Sequence, residues 1–400
     1  MIVVSIVLGI GAVVLLLPTL SDLVSVFRIS LGRSRRSATR PSEPPHFLFL
    51  VPAHNEELLL PACLESLRRL RYPRERVHVV VVADNCTDRT ADIARGAGVT
   101  CLVRTAPADA GKPRAIAWAL SQVKVGDYDA IVIVDGDTEL DPDFAAHAAA
   151  AAPLANKVLQ PYNGVSNQSE NALTRMAAVL SAANHGLAYV LKTHARLNVP
   201  LSVGMCIGSR VLSRVGWTVT SLSEDWEFYA ILTARGVRIE EVPEARIRAQ
   251  EAATLRASTS QRRRWTAGKL SVLATQAWPI VRSQDAGLAQ KLDAVAELSA
   301  PGPVLHLGVV GLATAAAMLA RPPAAGWLVT LLLVTLIRPA LYTIAAIVRD
   351  PEPAAALRAF AFLPFYAIWR ISAAVTALGI VGRGPWIRTA RAISSEQREQ

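Results

Sequence analysis

The sequence predicts an α/β domain with a mostly parallel sheet, flanked by membrane helices at both ends of the chain. Short runs rich in Val and Ile alternate with helical patterns over residues 47–134, which is typical of parallel sheets. Residues 2–20 hold no charged side chain, and three further apolar segments follow residue 300. Apolar residues make up 52% of the chain and charged residues 18%, a balance that favours a membrane protein.

The alternating region contains seven elements. Runs of Val, Ile, Leu and Phe bounded by polar turns predict four strands, at residues 47–51, 77–83, 99–104 and 130–134. Amphipathic spacing between these runs predicts three helices, at residues 56–70, 88–95 and 112–123. No Gly-x-Gly-x-x-Gly motif follows the first run and no Walker motif is present. These absences weigh against a dinucleotide enzyme and a P-loop enzyme.

Beyond residue 160 the alternation gives way to longer helical patterns. Helices are predicted at residues 169–197 and 224–234, with a strand at residues 238–242 between the second helix and a mixed amphipathic region at 267–300.

The first apolar segment, residues 2–20, is predicted to be an uncleaved membrane anchor, with a signal peptide as the alternative. Five basic residues and no acidic residue follow over residues 28–40: Arg28, Arg33, Arg35, Arg36 and Arg40. Because short basic flanks stay in the cytoplasm, we expect the N-terminus outside and the following domain inside, at the plasma membrane.

Two of the three C-terminal apolar segments are predicted to cross the membrane, and the third is not. Residues 301–320 and 327–348 are predicted to cross the membrane, so that Arg338 must face other helices or a headgroup cavity. Residues 359–381 contain Pro364 and a central Arg370, and are predicted to lie along or dip into the cytoplasmic leaflet. A fourth crossing is the alternative. The basic tail is then predicted to be cytoplasmic, with residues 386–391 beside the active-site mouth and basic residues at Arg383, Arg388, Arg391 and Arg398.

The formal net charge of +10 is explained by a membrane-proximal basic collar facing anionic lipids. No nucleic-acid-binding motif is present, so we expect membrane lipids and no nucleic acid as partners. The cysteines match no zinc or disulfide spacing and are predicted to be reduced thiols in a cytoplasmic domain; they are Cys63, Cys86, Cys101 and Cys206.

Two carboxylates, Asp135 and Asp137, follow the run at 130–134, where open α/β sheets bind ligands. Such oxygen ligands suit Mg²⁺ or Mn²⁺ shared with a substrate phosphate. The alternative for this pair is a solvated Asp-Gly turn. Other polar motifs occur in a fixed order along the chain, at residues 52–57, 83–90, 111–112, 223–226 and 261–265.

The ordered motifs resemble the family-2 glycosyltransferases, and the most diagnostic is the Gln-x-x-Arg-Trp sequence at residues 261–265. That motif is found in the membrane-bound group that includes cellulose, chitin and hyaluronan synthases and ceramide glucosyltransferase. The resemblance covers residues 47–266. It implies a Rossmann-like domain of the glycosyltransferase A type and a nucleotide-sugar donor, with UDP-sugars favoured.

The resemblance also implies roles for individual residues. The segment with Pro52, His54 and Glu56 would form part of the nucleotide pocket, and Asp84 would contact the base or ribose. Asp137 with Asp135 would hold the metal ion. Lys112 could meet the diphosphate, and a solvated lysine at a helix start is an equal alternative.

The later motifs are assigned to the chemical step and the acceptor. Asp225 is the candidate general base of an inverting transfer, because a carboxylate must take the acceptor proton. The adjacent Glu224 is assigned to acceptor binding, and an acidic pair favoured by the helix dipole is the alternative for both. Gln261 and Arg264 are assigned to the donor, and Trp265 to stacking on an acceptor sugar.

The predicted function is transfer of a sugar to a lipid, lipid-linked or polysaccharide acceptor. One alternative is a processive polysaccharide synthase subunit, for which a partner subunit could complete a channel. The other is a noncatalytic membrane scaffold or transporter. The predicted organisation is a transmembrane helix at 1–27, a Pro-rich basic linker at 28–46, a catalytic domain at 47–266, an amphipathic region at 267–300, a membrane region at 301–382 and a tail at 383–400.

Overall fold

A computed structural model describes residues 2–32, 43–221, 223–322 and 324–381. The tail residues from Arg383 onward, and four of the five arginines after the first apolar segment, lie outside these ranges. The described residues form two compact units. The sheet unit contains residues 43–167 and 198–251, and the helical unit contains residues 2–32, 168–197 and 252–381, with the gaps stated above.

The described residues contain eight strands and sixteen α-helices. The strands are β1 Phe47–Ala53, β2 Val77–Asp84, β3 Thr100–Arg104, β4 Ala130–Ile133, β5 Thr138–Leu140, β6 Val158–Val165, β7 Cys206–Gly208 and β8 Ile239–Ala249. The helices are α1 Ile2–Ser30, α2 Leu60–Arg68, α3 Thr90–Gly96, α4 Lys112–Gln122, α5 Phe144–Ala149, α6 Ala172–Ala183, α7 Tyr189–His194, α8 Ser209–Val215, α9 Glu224–Ala234, α10 Leu255–Arg282, α11 Leu288–Ser299, α12 Pro303–Ala320, α13 Ala325–Val334, α14 Ile337–Arg349, α15 Pro353–Ala359 and α16 Leu363–Leu378.

One mixed sheet runs in the order β3-β2-β1-β4-β7-β6-β8-β5. The first four strands in this order are parallel, as the sequence predicts. The other half is mixed, because β7 runs antiparallel to β4 and β6, while β6 and β8 are parallel. Strand β1 is buried along its whole length between helical layers, which explains its uninterrupted apolar sequence.

Strands β5, β6 and β7 are absent from the sequence-based prediction. Strands β5 and β7 have three residues each, too few to show a period. Strand β6 contains Pro161 and Gly164, and its register with β8 shifts between Pro161 and Tyr162. Such a bulge interrupts the alternation that marks a strand.

Strand β7 ends at Gly208, where the chain passes very close to another backbone segment. A Cβ atom at this position would lie 2.2 Å from the carbonyl oxygen of Leu154 and 2.4 Å from that of Ala155. Backbone atoms cannot move aside as a flexible side chain can. Only glycine therefore allows β7 to pair with β4 at this position.

We expect Gly208→Ala to lower the free energy of unfolding by about 1–3 kcal/mol or more, as forced overpacking does. Gly96→Ala is the matched control, because no atom lies within 4 Å of its added Cβ. That control should stay within about 1 kcal/mol of the wild type. Thermal unfolding of the purified protein in detergent measures both, and equal melting temperatures would contradict the packing described for β7.

The helical unit contains four helical stretches that are long and apolar enough to cross a membrane by length and composition: Ile2–Ser30, Pro303–Ala320, Ala325–Arg349 and Pro353–Leu378. Within the third stretch the described helices α13 and α14 are separated by Thr335 and Leu336. The fourth stretch has the lowest mean hydropathy of the four, 1.4. It is long enough to cross, and the expectation that it does not cross stays a prediction.

Charged side chains pair inside the helical unit. Arg338 of α14 donates from Nε to Asp22 of α1 at 2.8 Å, so Arg338 faces another helix, as its position in an apolar segment requires. Lys192 of α7 pairs with Asp293 at 2.8 Å and with Glu297 at 2.5 Å, both on α11. These pairs connect α1 to α14 and α7 to α11, and each charged side chain has a partner of opposite charge.

Candidate active site

The loops that follow β1 and β2 interlock at the carboxyl edge of the parallel strands. Asn55 and Asn85 both adopt left-handed backbone conformations, with φ of 54° and 52°, which asparagine tolerates better than most residues. The backbone N–H of Thr87 donates to Asn55 Oδ1 at 2.8 Å. This contact holds the two loops together at the edge where ligands of open α/β sheets bind.

The predicted nucleotide segment lies in these loops. Pro52 is inside β1, opposite Val82 of β2. His54 Nδ1 is 2.7 Å from the carbonyl oxygen of Asp84. The backbone N–H of Glu56 donates to Thr90 Oγ1 at 2.8 Å. The structure therefore brings Pro52, His54 and Glu56 to the same sheet edge as Asp84.

The turn with the two candidate metal ligands lies against this segment. Strand β4 ends at Ile133, and Asp135-Gly136-Asp137 follows one residue later. A Cβ atom placed on Gly136 would be 3.5 Å from Glu56 Cγ. Asp137 Oδ1 accepts a hydrogen bond from Thr138 Oγ1 at 3.2 Å. The acidic turn and the first loop thus form one surface.

Asp84 has a partner that sequence reasoning missed. Arg104 Nη1 donates to Asp84 Oδ1 at 2.6 Å, and both side chains are buried. Arg104 also pairs with Asp109 at 2.5 Å. The signal was in the sequence: Asp84 ends β2 and Arg104 ends β3, and the parallel register places these last residues opposite each other. Arg104 fixes the orientation of the Asp84 carboxylate, because charge-assisted hydrogen bonds are short and directional.

Lys112 connects the acidic turn to α9. Its ammonium is 2.5 Å from Asp135 Oδ1 and 2.7 Å from Glu224 Oε1. Burial alone would lower the pKa of Lys112, but the carboxylates of Asp135 and Glu224 outweigh it and raise that pKa above its usual value. Lys112 is therefore a paired cation inside the site, and the solvated lysine of the alternative interpretation is wrong.

Asp225 lies in the first turn of α9, next to Glu224. Its Oδ1 accepts a hydrogen bond from the backbone N–H of Trp226 at 2.8 Å. Burial and the neighbouring charge of Glu224 raise the pKa of Asp225 to about 7. A carboxylate with a pKa near the working pH is suited to accept and release a proton.

The carboxylates fit a metal ion that takes its other ligands from a substrate or from water. Among the described residues no group of three or more His, Cys, Asp or Glu side chains could hold a metal ion by itself. Asp135 and Asp137 supply two carboxylates one residue apart, and Mg²⁺ is usually held by one or two carboxylates together with substrate phosphates.

The remaining predicted residues lie on α10, in the helical unit. Gln261 is buried, whereas Trp265 is 41% exposed. Three- and four-residue spacing places Arg264 and Trp265 on the helix face of Gln261. The Trp265 ring lies under the guanidinium of Arg262, 4.6 Å from its centroid.

Comparison with curated proteins finds relatives over slightly more than half of the chain. "Probable glycosyltransferase YdaM" of Bacillus subtilis (strain 168) is 28% identical over 243 residues, which cover 58% of this chain and 57% of that protein. "Beta-monoglucosyldiacylglycerol synthase" of Synechocystis sp. is 25% identical over 257 residues, 62% of this chain and 53% of that protein. The chain thus spans about half the length of the curated relatives it matches.

Comparison with solved structures supports the fold. The mannosyltransferase PcManGT from Pyrobaculum calidifontis, solved in complex with GDP-Man and Mn²⁺, gives a TM-score of 0.56 at 20% sequence identity. The match covers 93% of this chain and 99% of that chain. The predicted α/β domain of the glycosyltransferase A type is confirmed by this likeness together with the mixed sheet.

A family model described as "Glycosyltransferase like family 2" matches residues 44–268. The matched range starts just before β1 and ends within α10, so it includes every residue assigned above to donor, metal or base. Because this range is more than half of the chain, the protein belongs to the family-2-like glycosyltransferases.

Proposed function

We propose that this chain transfers a sugar from a nucleotide-sugar to a lipid, lipid-linked or polysaccharide acceptor, with inversion at the anomeric carbon, at the cytoplasmic face of the plasma membrane. One observation supports the proposal most strongly. Lys112 pairs with Asp135 and with Glu224, which joins the acidic turn after β4 to the start of α9. A candidate metal-binding carboxylate and a candidate base, Asp225, thereby belong to one site.

Asp225 would act as the general base of the transfer. An inverting displacement forms the new glycosidic bond on the face opposite the leaving nucleotide, and the acceptor hydroxyl must lose its proton as the bond forms. Asp225 is half-buried, and its raised pKa of about 7 lets the carboxylate take that proton near neutral pH. The adjacent Glu224, held by Lys112, would line the acceptor side of the base.

The donor would bind along the edge formed by β1, β2 and β4. Asp84, oriented by Arg104, would accept hydrogen bonds from the base or ribose, and the segment from Pro52 to Glu56 would close the nucleotide pocket. Lys112 would place its positive charge beside the diphosphate. Preorganised cations at a leaving diphosphate stabilise the charge that develops there.

A divalent ion, Mg²⁺ or Mn²⁺, would be held by Asp137 with Asp135. When bound, such an ion supplies Lewis-acid stabilisation of the leaving diphosphate. The structural relative PcManGT is described as a complex with Mn²⁺ and GDP-Man, which supports metal use in a fold of this kind. We expect a UDP-sugar as the donor, with GDP-mannose as the second candidate.

From the Gln-x-x-Arg-Trp sequence at residues 261–265 we propose that the chain belongs to the membrane-bound group of the family. We propose that Gln261 and Arg264 contribute to donor binding and that Trp265 stacks on the acceptor. Arginine suits a diphosphate because its donors bind oxygens in pairs, and an exposed tryptophan suits a sugar ring.

The names of two relatives suggest two different classes of acceptor. One is named a β-monoglucosyldiacylglycerol synthase and another, from Arabidopsis thaliana at 21% identity, a glucomannan 4-β-mannosyltransferase. The first name points to a lipid and the second to a polymer. We favour the lipid or lipid-linked acceptor, since four candidate spanning helices are few for a polymer channel.

Native membranes that contain the protein, supplied with radiolabelled UDP-sugars and GDP-mannose, test this function. We expect one sugar to enter the chloroform-soluble lipid fraction, and membranes lacking the protein serve as the control. Label in a high-molecular-weight polymer would instead favour the processive alternative. No transfer from any donor would favour the noncatalytic scaffold.

A single cysteine at Ser395, outside the described residues, tests the membrane arrangement. With three crossings the tail is cytoplasmic, so an impermeant thiol reagent should leave this cysteine unlabelled in intact cells and label it after lysis. All four native cysteines, Cys63, Cys86, Cys101 and Cys206, should first be replaced by serine or alanine. Labelling in intact cells would mean a fourth crossing by Pro353–Leu378 and an external tail.

A further inference from the structure

Trp217 joins the start of α4 to α9, the two helices that carry Lys112 and Glu224. Its indole Nε1–H donates a hydrogen bond to the carbonyl oxygen of Pro113 at 3.0 Å. Its ring packs on that of Phe228, with ring centroids 4.8 Å apart and the ring planes at 48°. Pro113 follows Lys112 directly at the start of α4, and Phe228 lies on α9. Trp217 therefore contacts both helices.

The start of α4 and α9 are also joined by the ion pair between Lys112 and Glu224, with 2.7 Å between Nζ and Oε1. Glu224 and Phe228 are four residues apart on α9, so they lie on the same face of that helix. The ion pair and the packing of Trp217 thus involve the same face of α9. Two independent contacts hold the start of α4 there.

The loop that carries Trp217 is itself held at both ends. Gly216 follows α8 with a φ of 76°, a left-handed conformation that glycine adopts without strain. Further along the loop, the backbone N–H groups of Thr220 and Ser221 donate to Glu227 Oε2 at 3.1 and 2.7 Å. Because Glu227 lies on α9, this loop is attached to the same helix that the indole ring contacts.

The position of Lys112 depends on the backbone at the start of α4. Its ammonium contacts Asp135 at 2.5 Å as well as Glu224. A lysine side chain is flexible, and holding it against two carboxylates costs side-chain entropy. The hydrogen bond to the carbonyl oxygen of Pro113 restrains the backbone beside Lys112. A restrained backbone reduces the freedom that Lys112 must lose to keep both contacts.

We propose that Trp217 is a positioning residue, which holds the start of α4 against α9 and thereby keeps Lys112 between its two carboxylates. The inference deepens the proposed sugar transfer and rests on it for its functional consequence, because Lys112 and the candidate base Asp225 belong to that site. Trp217 itself acts only through Lys112.

Loss of this positioning should appear in the pH profile of transfer. Burial and the charge of Glu224 raise the pKa of Asp225. The charge of Lys112 lowers that pKa, and the charge of Asp135 raises it further. A less firmly held Lys112 would balance the neighbouring carboxylates less well, so the pKa of Asp225 would rise. The base works when deprotonated, and the acid limb of the profile would therefore move to higher pH.

The variant Trp217→Phe tests the proposal, because it keeps an aromatic ring beside Phe228 and removes the hydrogen-bond donor to Pro113. We expect transfer at pH 7 to fall about 3–10-fold, as the loss of one hydrogen bond implies. The acid limb should move up by about 0.5–1 pH unit. Trp118→Phe, the same change at a half-buried position on α4, is the matched control and should leave both quantities at the wild-type values.

A double-variant cycle tests whether Trp217 acts through Lys112. If it does, Trp217→Phe should lower transfer less than twofold when Lys112→Met is already present, because the side chain that it positions is gone. If the two variants instead reduce transfer independently, so that their fold-losses multiply, the proposal is overturned.

Hydrogen exchange followed by mass spectrometry gives a readout that needs no transfer. In Trp217→Phe, peptides from the first two turns of α4 and α9 should exchange faster, while those of β1 and β4 should exchange as in the wild type. If this variant does not fold, Glu227→Gln replaces it, since the half-buried Glu227 holds the same loop.

Unchanged exchange in α4 and α9 would overturn the positioning role, and so would faster exchange throughout the sheet, which would indicate a general loss of stability. Exchange needs no sugar donor. A wild type that transfers no sugar would therefore contradict the proposed function, and the exchange data would still decide whether Trp217 holds α4 against α9.

Discussion

Asp225→Asn should reduce sugar transfer by about 10²–10⁴-fold, the usual contribution of a positioned general base. The amide keeps the shape of the side chain, and its oxygen can still accept from the backbone N–H of Trp226. It cannot take a proton from an acceptor hydroxyl at neutral pH. Nucleotide binding should survive, because the proposed donor contacts at the ends of β1, β2 and β4 are unchanged.

Transfer rate and nucleotide affinity should be measured on the same preparation, with Asp92→Asn as the control. Asp92 is an exposed carboxylate on α3 that pairs with Arg95, so its neutralisation should leave both quantities near wild type. Turnover of Asp225→Asn within a few-fold of wild type would remove Asp225 from the mechanism.

The pH profile offers a second readout of the same residue. The pKa of Asp225 is raised to about 7 by burial and by Glu224, and the base works only when deprotonated. Transfer should therefore fall tenfold per pH unit below about 7 and level off above it. A wild-type profile that stays flat down to pH 5 would contradict the assignment.

Asp137→Ala should weaken metal-dependent binding of the nucleotide-sugar by about 100-fold, which corresponds to roughly 3 kcal/mol of ion-mediated stabilisation. In the proposed site this carboxylate would hold the ion and the ion would bind the diphosphate, so both affinities should fall together. Titration calorimetry with Mn²⁺ and the nucleoside diphosphate measures this coupling, and excess EDTA should mimic the variant.

Asp143→Ala is the matched control for Asp137. Asp143 lies six residues further along and pairs with Arg71 on the surface, so its loss should leave metal and nucleotide binding unchanged. Transfer that persists at the full rate in excess EDTA would show that the reaction needs no divalent ion at Asp137.

The part of the sheet that can be predicted from the sequence is the parallel part, β3-β2-β1-β4, because most of its strands are long apolar runs. Strands β1 and β4 are buried along their length and β2 over its last five residues, and the helices between these apolar runs predict their parallel orientation. The other half depends on strands of three residues and on a bulge in β6. The long helix predicted at residues 169–197 is divided by a π-turn at Asn184–Ala188. Local pattern does not determine such features, because tertiary contacts select them.

The candidate site follows the same division. Asp84 ends β2, and Asp135 and Asp137 follow β4; because parallel strands end at the same edge of a sheet, all three lie there. The Arg104 partner of Asp84 could also have been found, since adjacent parallel strands align their last residues. Lys112 is different. Its partner Glu224 lies at the start of α9, far along the chain from Lys112 at the start of α4. A sequence pattern does not show that two such distant positions are in contact.

The most direct test of the proposed site is release of nucleoside diphosphate from a nucleotide-sugar by the purified chain supplied with a membrane lipid extract. We predict release from one UDP- or GDP-sugar that requires Mg²⁺ or Mn²⁺ and is lost in both Asp225→Asn and Asp137→Ala. Asp92→Asn and Asp143→Ala should release it at the wild-type rate. Release that is equal in all five proteins, or absent from every nucleotide-sugar offered, would contradict the assignment of this site.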